Sequence, residues 1–303
     1  MDSMANTQNL AGWLDYISQQ HTEVIDMGLE RFNQVLDRMQ LHNPAPAVIT
    51  VAGTNGKGTT CRMIEALLLQ GGYRVGSTLS PHIWRFNERI RLHGRDADDE
   101  EICAAFAAID LARGDIALTY FEFSALAALY CMAQAQVDVA ILEIGLGGRL
   151  DAFNAIDPDV AVITSIGLDH QLFLGDTREA IGVEKAGILR SGQHVVLGQD
   201  MPESVLQRCD ALALKPRCWG VDFSSSIDID QGTWQLIRQD QASLEIPLTA
   251  IAPHNIALAC EAVADMVDLN LDLIARCSAS DMPGRMDIRR TKDRMWILDV
   301  CHN

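Results

Sequence analysis

Val48-Ile49-Thr50-Val51-Ala52-Gly53-Thr54-Asn55-Gly56-Lys57-Gly58-Thr59-Thr60 decides the fold. The β-branched run reads as a short buried strand, and it ends directly in glycines. Cys61 to Gln70 resumes at helical spacing until Gly71-Gly72 stops it. Strand, glycine loop and helix in that order aim consecutive backbone N–H groups and the positive helix end at one point, which suits a phosphate. Lys57 adds a mobile positive charge, and Thr59 or Thr60 a hydroxyl for a magnesium ion. The loop departs from the strict G-x-x-x-x-G-K-[ST] spacing, because Gly58 stands between lysine and threonine. A glycine-rich tight turn that binds nothing is the bland alternative.

Working outward, the alternation repeats. Phe121 to Gln134 reads as a helix, and Val137 to Ile144, Val160 to Ile166 and Val195 to Leu197 as strands. Ala180 to Leu189 follows acids suited to a helix start. Upstream, Leu10, Leu14 and Ile17, then Leu29, Phe32, Val35, Leu36 and Met39, predict two amphipathic helices. The fold class expected is α/β: a P-loop type, mostly parallel sheet flanked by helices. Residues 217–250 carry short alternating runs such as Trp234-Gln235-Leu236-Ile237, which predict a small antiparallel insertion packed on the main sheet. Helices from about Asn255 to Val267 and near Leu271 to Arg276 follow. Pro283-Gly284 punctuates the chain before Met295 to Val300 begins a new strand. Residues 1–285 are read as one ATP-binding domain, and 286–303 as the hinge and first strand of a second, Rossmann-like domain that is largely missing.

The 303 residues are 48% apolar, enough for a large core, and carry a net charge of −17. Such a field repels polyanions, so neither nucleic acid nor an anionic membrane is expected as a partner, and an anionic ligand needs a local site. Eight cysteines without a C-x-x-C pair, and no basic, apolar leader, fit reduced thiols in the cytoplasm. No apolar run approaches the roughly 20 residues that span a bilayer.

Three further segments place polar groups just beyond strands, where open α/β sheets bind ligands. In Ile141-Leu142-Glu143-Ile144-Gly145-Leu146-Gly147-Gly148-Arg149-Leu150-Asp151, Glu143 ends a buried strand. A buried carboxylate needs a cation, either Mg²⁺ or an arginine. Ser165-Ile166-Gly167-Leu168-Asp169-His170 ends another strand, and Ser80-Pro81-His82 follows the second. Taken singly, a serine before proline is a turn and a histidine after a strand a hydrogen-bonded structural residue.

Val51 to Thr60 resembles the nucleotide loop of folylpolyglutamate synthase and dihydrofolate synthase, members of the Mur ligase superfamily, and Gly58 resembles the folate branch in particular. The likeness runs from about Ile25 to the end. It implies an ATP-dependent ligase that adds L-glutamate to dihydropteroate, to a reduced folate, or to both, through an acyl phosphate. It implies ATP contacts at Gly53, Thr54, Asn55, Gly56, Lys57, Gly58, Thr59 and Thr60, at Asn255 in Pro253-His254-Asn255, at Arg285 in Met282-Pro283-Gly284-Arg285, and at Asp299 and His302 in the closing Asp299-Val300-Cys301-His302-Asn303. Two magnesium ions are implied, held by Ser80, Glu143, His170 and Lys185, the last in Glu184-Lys185-Ala186-Gly187-Ile188 and carrying a carbamate. Unmodified, Lys185 repels a metal, and an isolated lysine on a helix is ordinarily just solvated. Lys57, Glu143, His170 and Lys185 become the catalytic set. The implied acceptor pocket is Met27, Gly28, Phe121, Asp151 and Ala152; Met27 stands where leucine is expected, while Phe121 as core and Asp151 as a turn cap are the plain alternatives. Asn87-Glu88-Arg89-Ile90-Arg91 also resembles a family segment, with no role attached. A monomer is expected. A peptidoglycan-precursor ligase of the same superfamily needs a sizeable domain before the loop, and only 52 residues precede Gly53. A nucleotide-binding protein without chemistry is the rival from another class.

Overall fold

The computed structural model describes residues 9–20, 27–239, 242–279, 287–290 and 294–298. Two helices, α1 (Leu10–Ser18) and α2 (Glu30–Met39), precede the first strand, β1 (Ala47–Ala52), and the helix that leaves the glycine loop, α3 (Lys57–Gln70). Then come β2 (Val75–Thr78), β3 (Ile90–Leu92), β4 (Arg95–Asp96), α4 (Asp99–Arg113), α5 (Tyr120–Gln134), β5 (Val139–Glu143) and β6 (Val160–Ile163). The chain continues through α6 (Gln171–Leu174), α7 (Arg178–Lys185), β7 (His194–Leu197), α8 (Glu203–Ala211), β8 (Arg217–Cys218), β9 (Phe223–Asp228), β10 (Thr233–Arg238) and β11 (Leu244–Pro247). It closes with α9 (Pro253–Ala262), α10 (Leu271–Ser278), β12 (Asp287–Arg290) and β13 (Met295–Leu298).

Eight strands form one sheet in the order β4-β3-β2-β5-β1-β6-β7-β8. From β2 to β8 every pair is parallel, and β3 and β4 add an antiparallel edge. The alternation of each central strand explains why helices cover both faces. Ile49, Val51, Val139, Ile141, Val160 and Val162 point into one core with α3, α9 and α10. Val48, Ala52, Ala140, Leu142, Ala161 and Ile163 point into the other, with α1, α2, α4 and α5. All carboxyl ends of the parallel strands therefore share one edge of the sheet.

The predicted antiparallel insertion is the three-stranded sheet β11-β10-β9. Its inward residues Phe223, Trp234, Leu236 and Ile246 join the α3–α9–α10 core, so it packs chiefly through helices rather than flat on the main sheet. One buried carboxylate ties the two parts. Glu261 of α9, 1% exposed, accepts from Arg238 Nε at 2.6 Å and lies 2.9 Å from Arg217 Nη2. The α4 helix and the β3–β4 edge were not foreseen. Residues 287–290 and 295–298 pair with each other in a separate two-stranded sheet.

Removing one side of a buried ion pair strands the other charge. Glu261→Ala is expected to cost about 3 kcal/mol, read as a lower urea midpoint with an unchanged slope. An unchanged midpoint would mean that Arg217 and Arg238 regain water.

Candidate active site

The glycine loop is fixed by its neighbour rather than by itself. Gly53 has φ +151°, and a Cβ there would lie 1.9 Å from Thr164 Oγ1, so only glycine fits. Across that contact the loop beyond β1 interlocks with the segment beyond β6. Thr54 N donates to Ser165 O (2.8 Å), Asn55 N to Ser165 Oγ (3.0 Å), Thr164 Oγ1 to Asn55 O (2.6 Å), and Gly167 N to Thr54 Oγ1 (3.0 Å). Helix α3 then starts at Lys57, so the amides of Lys57, Gly58 and Thr59 lie in its first turn, where intrahelical acceptors are lacking. The Thr60 hydroxyl is buried and meets no partner among the described residues. Asn255, in the first turn of α9, lies against Gly56, where a Cβ would approach its Oδ1 to 2.5 Å.

Two lysines converge on one carbonyl. Lys57 Nζ donates to Gly53 O at 3.0 Å and to Thr54 O at 3.2 Å. Lys185 Nζ, brought by the carboxyl end of α7, donates to the same Gly53 O at 2.9 Å. Lys185 is 4% exposed, and burial, helped by the charge on Lys57, lowers its pKa to about 7. A solvated surface lysine is thereby ruled out.

Glu143 closes β5. Its N–H donates to Thr78 Oγ1 (2.8 Å), and its Oε2 accepts from Ser80 N (2.7 Å), so the carboxylate and the Ser80 segment are held together. His170 begins α6 in the left-handed region at φ +48°, with a half-exposed ring whose Nε2 lies 3.7 Å from Asp169 Oδ2. Among the described residues no three His, Cys, Asp or Glu side chains converge as a ready metal cluster.

The five expected acceptor residues, Met27, Gly28, Phe121, Asp151 and Ala152, line a single cavity of about 270 Å³. Ser80 and His170 line it too, and Ser80 with Glu143 and Gly58 also borders a second cavity of about 420 Å³. Phe121 stands edge-on to Phe153, ring centroids 5.8 Å apart. Asp151 is fully engaged by backbone: Oδ2 accepts from Gly145 N (2.9 Å) and Leu146 N (3.0 Å), Oδ1 from Phe153 N (3.0 Å). It is the turn cap as well as a lining residue. Burial raises its pKa to about 6 against the pull of those three amides.

A carboxylate that sequence reading missed lies in the same wall. Glu122 Oε2 accepts from Arg31 Nε (2.9 Å), Thr119 N (2.8 Å) and Thr119 Oγ1 (2.9 Å), while its Oε1 is buried without a partner. Thr119-x-x-Glu122 is a capping box at the start of α5, a pattern readable in the sequence. Arg285, Asp299 and His302 lie outside the described residues.

A mostly parallel sheet whose carboxyl edge carries a glycine loop and a helix start beside a ring-sized cavity is the arrangement of a nucleotide-binding α/β enzyme. Residues 51–261 match the Mur ligase middle domain. The dihydrofolate synthase/folylpolyglutamate synthase of Escherichia coli K12 is 44% identical over 298 residues, which span 97% of this chain and 70% of that one. The solved structure of E. coli FolC in complex with DHPP and ADP superposes with a TM-score of 0.92 at 43% identity, covering 98% of this chain and 72% of that one. A bifunctional folylpolyglutamate synthase/dihydrofolate synthase with Mn, AMPPNP and L-glutamate bound gives 0.89 at 43% identity, with coverage of 98% and 72%. The chain belongs to the dihydrofolate synthase/folylpolyglutamate synthase family. Among its described residues no helix is long and apolar enough to cross a membrane.

The raised pKa of Asp151 carries a sign. Because the folded carboxyl holds its proton above the usual value of 3.8, its stabilising contribution is complete below that value and is lost as pH rises through about 6. Unfolding free energies of the wild type minus those of Asp151→Asn are therefore expected to fall between about pH 4 and 6 and then level off. Parallel curves across that window would place the titration elsewhere.

Proposed function

We propose that this chain carries the ATP- and acceptor-binding half of an amide ligation: L-glutamate is joined to dihydropteroate, to a reduced folate, or to both. The observation that supports it is one cavity, sized for a heteroaromatic ring, whose wall includes Ser80 and His170 and whose neighbour Glu143 stands beside the phosphate loop. A carboxylate oxygen of the acceptor attacks the γ-phosphorus of ATP; the new C–O–P bond forms as the β–γ bridge breaks and ADP leaves. The amine of glutamate then attacks the acyl carbon, the amide bond forms, and phosphate departs. Positioning and charge neutralisation do most of this work. Lys57 releases its two loop carbonyls for the β and γ phosphates, which the first-turn amides of α3 also meet. Phe121 stacks on the ring, with Met27, Gly28 and Ala152 closing around it. Asp151 holds the glycine loop that forms the cavity wall, and Glu122 Oε1, buried behind that wall without a partner, is the acceptor the ring's N–H edge would meet once the side chain turns toward it.

The donor set fits magnesium in part. Ser80 and Glu143, already hydrogen-bonded together, offer hard oxygens of the kind that Mg²⁺ takes alongside phosphates. His170 is accessible for a second ion. When bound, the ions supply charge neutralisation at the phosphates. Lys185 fits only after modification: the nitrogen of its neutral amine bonds the carbon of CO₂ and one proton leaves, giving an anionic oxygen ligand. A buried amine with a pKa near 7 is available in the neutral form which that reaction needs. The seven described cysteines are free thiols, in keeping with the reducing cytoplasm proposed for this enzyme.

Two substitutions test this reading. Lys57→Ala is expected to abolish acyl phosphate formation from ATP and acceptor; near-normal formation would refute the role given to Lys57. Glu122→Gln keeps the capping box but turns an acceptor into a donor. It is expected to raise the KM for dihydropteroate by roughly tenfold to a hundredfold, with the KM for ATP unchanged. Equal rises in both would assign Glu122 to folding alone.

A further inference from the structure

Asn87-Glu88-Arg89-Ile90-Arg91 is left without a task by the reading above, yet Arg89 lines the acceptor cavity. Its environment is unusual for an arginine. The guanidinium carbon sits 5.9 Å from the centroid of Phe86 and 5.7 Å from that of Tyr120, so its stem and one face are packed on aromatic rings. Nε donates to His82 Nδ1 at 2.7 Å. His82 is held below the usual histidine range by burial and by the neighbouring guanidinium, so it remains a neutral acceptor there. That contact fixes the rotation of the fork.

Among the described residues no carboxylate or carbonyl accepts from either Nη atom, and neither is counted among the sealed, unsatisfied atoms. Four donor hydrogens of a planar, permanently charged group are thus open on the cavity side. Arg89, Ser80, Phe121 and Glu143 also border one narrow void of about 10 Å³. That void places Arg89 between the wall that takes the ring and the carboxylate that faces the phosphate end. That void is no larger than a single water, so the acid group of an acceptor stacked on Phe121 would meet Arg89 from the cavity side.

We propose that Arg89 binds the acceptor's carboxylate and holds it for attack on the γ-phosphate, keeping its hydrogen bonds as charge moves onto the acyl phosphate oxygens. The proposal rests on the acceptor reading of the cavity given above. A guanidinium suits this task because it grips a carboxylate through two parallel N–H···O bonds and transfers no proton in either step. Electrostatic stabilisation at a dry, preorganised donor of this kind typically contributes about a hundredfold or more in rate. Lysine has the charge but not the fork, and leaves Phe86 and Tyr120 without their planar partner.

The test compares dihydropteroate with its methyl ester, which keeps the ring and loses the negative charge. Dissociation constants are measured by fluorescence titration on the full chain without ATP, for the wild type, Arg89→Met and Arg89→Lys. The wild type is expected to prefer the acid by at least about tenfold. Arg89→Met, whose stem still covers the aromatic rings, should bind the ester as the wild type does and lose the preference for the acid; Arg89→Lys should keep part of it. A preference retained in Arg89→Met overturns the proposal, as does equal weakening of both ligands, which marks a purely structural residue. Equal binding of acid and ester by the wild type also overturns it while leaving the acceptor cavity intact. If the wild type binds neither, the acceptor reading itself fails.

Discussion

The contact between Gly53 and Thr164 governs the edge of the sheet at which everything else meets. With a side chain at position 53 the loops beyond β1 and β6 could not close on each other, since Thr164 Oγ1 occupies the space a Cβ would need. The same backbone unit presents the carbonyl that accepts from both Lys57 and Lys185. Among the described residues neither amine pairs with a carboxylate. Lys57, with the amine of Lys185 titrating near neutral pH beside it, gives this point a local positive character in a chain whose net charge is −17. That is the local capture an anionic ligand requires against a repelling average. Burial, and after it the charge on Lys57, depresses the pKa of Lys185.

How the sheet is built explains why the cavity proposed for the acceptor lies beside this field. Each central strand alternates between two apolar cores, so both faces are taken and only the edge is open to a ligand. Strands β1, β5 and β6 are neighbours, and their trailing segments supply the phosphate loop, Glu143 with the glycine loop, and the Thr164-Ser165 clamp with His170. The start of α5 reaches the same edge from the opposite direction. Its capping box leaves Thr119 and Glu122 in the cavity wall because capping groups must sit where helix amides are exposed.

Much of this was legible because it is local. The β1–loop–α3 unit is set by neighbours within about a dozen residues, and apolar alternation marks β5, β6 and β7. Helix α4 carries the same kind of signal, with Ile102, Ala105, Phe106 and Ile109 at helical spacing behind an Asp98–Glu101 capping box. The β3–β4 edge does not, since strands of three and two residues are too short to display a period. Nor could sequence place Lys185 on a carbonyl 132 residues away, or tell which oxygen of Glu122 an arginine 91 residues upstream would satisfy. Those facts belong to packing.

The three charged groups in the acceptor wall divide accordingly. Asp151 has three backbone amides on its two oxygens and therefore little left to offer a ligand except the shape it imposes on residues 145–153. Glu122 satisfies a helix start and an arginine with one oxygen and keeps the other sealed without a partner. The ion pair with Arg31 accounts for a carboxylate here rather than a glutamine, but not for leaving its second oxygen buried and unmet, which is costly. Arg89 has the converse excess, open donors held still by two rings and a histidine. A cavity wall that keeps one unmet carboxylate oxygen and, among the described residues, two Nη groups without an acceptor is complementary to a ligand with an N–H edge and an acid group. It is not complementary to a purely apolar one, and the proposed acceptor would lie with its two polar ends matched to those two groups.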